Sequence, residues 1–74
     1  MVPTHPTRLQ MFITAHGIKA AALARETGYS RQYLLRVRMG RVDPTRRCMA
    51  AIVAACRRLS HKRVRASELF ELGE

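Results

Sequence analysis

Three side chains within six residues, Arg31, Gln32 and Arg36 in the stretch SRQYLLRVRMG, have the types and spacing to do recognition chemistry. An arginine fork donates two hydrogen bonds to the O6 and N7 of guanine, and a glutamine amide pairs with the N6 and N7 of adenine. Ser30 precedes them with a hydroxyl at a helix start, where backbone amides favour an anion. Arg38, Arg41, Arg46 and Arg47 follow, each a planar set of donors suited to phosphate. Between Arg31 and Arg65 the chain holds eleven basic residues and one acid, Asp43. Over all 74 residues, fourteen Lys and Arg face five Asp and Glu for a net charge of +9, and twelve of the fourteen are arginine. Self-repulsion on that scale is most easily tolerated beside a polyanion. The plainer reading is a basic face that only keeps the chain in solution.

Other chemistries lack their parts. There are no paired carboxylates, no Ser-His-Asp or Cys-His set and no phosphate-cradling glycine loop, so no enzyme is expected. His5, His16 and His61 have no suitable partners in the pattern, and His16 reads as a boundary residue beside the last carbonyls of a helix. Cys48 and Cys56 lie eight residues apart in one expected helix, about 12 Å along its axis, too far for a disulfide. Both read as small core residues. A metal site from Cys48, Cys56 and His61 is the sharper alternative, but no CxxC or HxxxH spacing supports it, and neither metal nor cofactor is expected. The opening MVPTHPT and the cluster MFITA are too short and unpatterned for a signal peptide or membrane span, which points to the cytosol and no membrane partner.

The elements that must position these groups are all helical, in one small domain over residues 8–72 behind a flexible N-terminal arm, residues 1–7. A first helix starts near Thr7 or Arg8 and stops at Gly17, with Leu9, Phe12, Ile13 and His16 on one stripe. The second is AAALARET, ending at Gly28, and the third runs from a Ser30 cap to Met39, with Gly40 as its stop. Within RVDPT either Asp43 or Thr45 caps the fourth, which carries Met49, Ile52, Val53, Cys56 and Leu59 on one face. A short closing helix, SELFEL, starts at Ser67 and offers Leu69, Phe70 and Leu72 to the core. Nothing alternates like a strand.

Helices two and three, joined by a glycine turn, have the outline of a helix-turn-helix. Ala24, Gly28, Leu34 and Val37 fit its template: a small residue where helices cross, a turn residue with positive φ, then two inward residues. The run HGIKAAALARETGYSRQYLLRVRMGRVDPT and the closing RASELFELGE resemble the lambda-repressor-like family, the Cro/CI or XRE type of phage and bacterial regulators, over roughly residues 8 to 72. The resemblance implies a compact all-α bundle of four or five helices. It also implies a transcription regulator, of repressor type, that binds double-stranded DNA in a bacterial cytosol or phage-infected cell. Base reading falls on Arg31, Gln32 and Arg36, and phosphate contact on Ser30, Tyr29, Arg38, Arg41, Arg46, Arg47 and Lys19.

Several points stay open at this stage. Tyr29 either donates to a phosphate or packs over the turn, and Leu35 or Met39 either touches a thymine methyl, meets a second subunit or is plain surface. Lys19 and Ala20 stand where the family usually has a Ser or Thr cap and a phosphate-binding glutamine. A homodimer is possible, its contact drawn from the N-terminal arm, the C-terminal LFELGE or the Leu35/Met39 edge. No small-molecule ligand is expected. The alternative function is a protein-interaction module, such as an antitoxin, adaptor or inhibitor, using the same basic surface.

Overall fold

Three of the helix starts in the computed structural model, which describes residues 7–70, are closed by hydroxyls. Thr7, Ser30 and Thr45 each accept a hydrogen bond from the backbone N–H three residues on, at 3.0, 3.0 and 3.1 Å. They open α1 (Arg8–Ala15), α3 (Arg31–Arg38) and α4 (Arg46–Ser60). Thr45, not Asp43, is therefore the cap of α4, and Pro44 stands one position outside it. The remaining helices are α2 (Ala20–Thr27) and α5 (Ala66–Leu69), and no strand occurs among the described residues. α5 starts one residue before Ser67 and is shorter than SELFEL suggests. Its first turn is set from within, by the Glu68 carboxylate accepting the Arg65 N–H at 3.0 Å. The arm up to Pro6, with His5, and the segment 71–74, with Leu72, lie outside the described residues.

The chain leaves α3 through paired bonds, Gly40 N–H to Val37 O at 3.1 Å and Arg41 N–H to Arg36 O at 2.8 Å, the pattern of a Schellman stop. Gly40 has φ +75°, and a Cβ there would also stand 3.3 Å from the Thr7 methyl. Gly28 ends α2 at φ +81° with one bond, from its N–H to Ala24 O at 2.8 Å. A Cβ at Gly28 would meet nothing, so glycine is needed there for its backbone alone.

These stops fold the helices over a core of Leu9, Ile13, Leu23, Leu34, Val37, Cys48, Ile52, Val53, Ala55, Cys56, Val64 and Leu69. α4 lies at its centre, with α2 packed most extensively against it, α3 against α2, and α5 against both α1 and α4. The inner face of α4 differs from the expected stripe. Cys48 and Ala55 join Ile52, Val53 and Cys56 in the core, whereas Met49 and Leu59 are only half-buried. Met49 borders an open groove between the α3–α4 loop and α5, and Leu59 sits in the last turn of α4. The small side chains of Ala55 and Cys56 leave room beside Ile52 for α2. Phe12 and His16 are likewise half-buried, their rings stacked 4.1 Å apart, and His16 Nδ1 lies 3.0 Å from Phe12 O beside the end of α1.

The cysteines are free and buried, and among the described residues no three His, Cys, Asp or Glu side chains come together as a metal site. No described helix is long and apolar enough to cross a membrane.

Two outcomes test this packing. Gly28→Ala should cost about 1 kcal/mol in urea unfolding, since a left-handed residue with a Cβ is strained by roughly that much, and Gly28→Asn should cost less. Burial pushes the Cys56 thiol from 9.0 up to about 11. The folded state thus keeps its proton where the unfolded chain loses it. That contribution to stability is complete below about pH 9 and is lost as pH rises towards 11. Melting temperatures across this range should fall more steeply for the native chain than for Cys56→Ala.

Candidate nucleic-acid interface

The turn between α2 and α3 is held by a side chain the sequence reading passed over. The Thr27 hydroxyl donates to Leu23 O at 2.9 Å and accepts the Tyr29 N–H at 3.2 Å, bracing the chain on both sides of Gly28. Ser30 then spends its oxygen on the Tyr33 amide, which leaves its own hydrogen free to donate to an anion. Tyr29 and Tyr33 are half-buried and stack with centroids 5.5 Å apart. Burial raises the Cys48 thiol, and the Tyr33 and Tyr29 hydroxyls beside it draw it part of the way back down. Tyr33 is itself raised, by burial first and by Cys48 second. Of the two roles open to Tyr29, the arrangement displays packing over the turn.

α3 is a two-turn helix with a buried side and an exposed side. Leu34 and Val37 are 2% and 5% exposed. Arg31, Gln32, Leu35, Arg36 and Met39 are exposed, and at 100° per residue Gln32 and Met39 stand directly opposite the buried pair, flanked by Leu35 and Arg36. Gln32, Leu35, Arg36, Met39 and Arg41 line one open depression of about 400 Å³. The structure therefore brings two of the three expected base-reading residues, Gln32 and Arg36, into one place. Arg31 is exposed at the first position of α3, on its flank and outside the depression. Arg41, placed by sequence in the loop beyond, joins the depression because the Schellman stop turns the chain back at Gly40.

The expected phosphate-binding residues divide into two kinds. Arg41, Arg46, Arg47 and Lys19 are exposed, and their side chains make no hydrogen bond or ion pair among the described residues, where the one ion pair is Arg58 with Glu26 at 3.2 Å. Arg38 is different. Its Nε donates to Gln10 Oε1 at 2.8 Å, and its carbonyl accepts from the Thr7 hydroxyl at 2.6 Å, so it ties α3 to α1 and keeps only its terminal amino groups unpartnered. No local pattern marks Gln10 or Thr7 for this role, because their partner is about thirty residues away. Arg8 and Arg57 also work inside the fold, donating to Ser67 O and Val64 O, each at 2.9 Å.

Behind α3, the loop to α4 and α5 border a groove of about 740 Å³ whose charged lining residues are Asp43 and Arg46. Its remaining lining is largely apolar, with Val37, Val42, Met49 and Phe70.

At Lys19 the backbone is extended, as a cap requires, but no side-chain bond closes the first turn of α2. Lys19→Ser should supply it and raise unfolding stability by about 0.5–1 kcal/mol, a typical cap contribution. An unchanged or lower midpoint in urea would mean that those amides are satisfied in another way.

Comparison with known proteins identifies no family for this chain: no family model matches it, and no curated protein or solved structure shows significant similarity.

Proposed function

We propose that this chain is a sequence-specific regulator that binds double-stranded DNA by inserting α3 into the major groove. One observation carries the reading. The exposed side of α3 sets out Arg31, Gln32 and Arg36 with no protein partner among the described residues, while Leu34 and Val37 anchor the other side in the core. The major groove admits a helix of this size, and residues in its first two turns reach base edges. Arg41, Arg46, Arg47, Lys19 and the Ser30 hydroxyl would then hold phosphates, which fix register and carry no sequence information. Tyr29 and Arg38 are secondary in this scheme, since each already serves the fold. The domain would act as a repressor, by occupying its site in the cytosol, and as a homodimer where the site is a palindrome.

A protein-interaction module remains the second reading because Leu35 and Met39 are 48% and 40% exposed on the same side of α3. Selection from a random duplex pool, at low and near-physiological salt, separates the two. Phosphate contacts release counterions and weaken steeply with salt, whereas base reading persists as a sequence preference. An enriched motif at both salts supports the DNA reading, and its absence removes it. Within that motif, Arg36→Ala and Gln32→Ala should each cost about 1–3 kcal/mol at one base pair and relax preference there. Arg41→Ala should weaken all sequences alike and lower the salt slope by about one.

A further inference from the structure

Leu35 and Met39 have no counterpart elsewhere on α3. The other large apolar side chain that is exposed among the described residues is Met11, on α1. Leu35 and Met39 are four residues apart, so they are neighbours on one helical face. They share the 400 Å³ depression with Gln32, Arg36 and Arg41, and no acid lines it. Its rim is thus cationic and hydrogen-bonding, and its apolar part is confined to two side chains. That composition suits the edge of a base pair carrying a methyl group, under a phosphate backbone. In the major groove the one apolar group that a standard base offers is the C5 methyl of thymine.

We propose that Leu35, sealed by Met39, is a specificity-determining contact for a thymine methyl at the pair next to the one read by Arg36. Leu35 and Arg36 are consecutive and stand on either side of the outermost line of α3, so their tips diverge onto neighbouring pairs. The inference rests on the DNA reading above and adds one chemical requirement to it: each half-site contains a thymine whose methyl, and not only its hydrogen-bonding edge, is recognised.

Uracil tests this directly, because it differs from thymine in the major groove by the methyl alone. In a duplex carrying the selected motif, each thymine is replaced by uracil in turn, and affinity is measured for the native chain, Leu35→Ala and Met39→Ala. One position should lose about fourfold in affinity for the native chain, the order expected for burying one methyl. Leu35→Ala should bind the thymine and uracil duplexes equally, while keeping its preference at the pair read by Arg36. Met39→Ala should show a smaller thymine-to-uracil ratio than the native chain. Circular dichroism checks that the variants are folded, which their exposed positions favour. A motif whose thymines are all replaceable by uracil without loss overturns the inference and leaves the DNA reading standing. So does a Leu35→Ala chain that keeps the native thymine-to-uracil ratio and instead sediments as a smaller species, since Leu35 is then a subunit contact. A pool that yields no motif removes the DNA reading, and this inference with it.

Discussion

The rotation of α3 about its own axis decides which of its side chains this protein exposes. The helix has eight residues, and successive ones are 100° apart. A slip of one position would put Leu35 where Arg36 stands. Leu34 and Val37, both buried, prevent that slip from the inside. The ends prevent it too: the Ser30 hydroxyl closes the first turn, and the bonds of Gly40 and Arg41 close the last. Arg38 adds a lateral tie, with its carbonyl on Thr7 and its Nε on Gln10. A recognition surface gains from such stiffness, because side chains already in place lose less freedom on binding.

That hold on α3 is only as good as the seat beneath it. α2 bears on α4, with Leu23 of α2 and Ile52, Ala55 and Cys56 of α4 buried in the one core. In a domain of this length the burial of each such residue is a large share of net stability. The Thr27 hydroxyl and Gly28 then convert the position of α2 into the direction of α3. The chain of constraint runs from the Ile52 core, through α2 and the turn, to the exposed arginines.

Much of this was legible in the sequence because it is written in local chemistry. Gly17, Gly28 and Gly40 punctuate the helices where expected, and Ser30 caps where a serine should. The buried pair on α3 follows from helical spacing alone. What the sequence did not show is of two kinds. Some choices lie between equally good local candidates, as with Asp43 and Thr45, and only the path of the loop selects Thr45. Others depend on contacts between distant residues. The Arg38–Gln10 bond crosses 28 positions, and the Arg8 bond to Ser67 crosses 59. The half-burial of Met49 and Leu59 belongs to the same kind, since periodicity reports a face but not which neighbouring elements cover it.

Counting arginines overstates the charge available for a partner. Arg8, Arg38, Arg57 and Arg58 each spend at least one donor inside the fold, linking α1 to α5, α1 to α3, α4 to the loop after it, and α4 to α2. Guanidinium suits such work, because it reaches a carbonyl at the end of a long apolar stem and stays charged. The structural arginines are thus scattered through the molecule, whereas Arg31, Arg36, Arg41, Arg46 and Arg47 follow one another along α3, its loop and the start of α4. A face meant only for solubility would be served as well by mixed charges, which repel less. Along this stretch the chain places one acid, Asp43, and it lines the groove behind α3, away from the depression that holds Gln32 and Arg36. Among the described residues no acid pairs with these arginines, so their mutual repulsion is concentrated where a polyanion would relieve it.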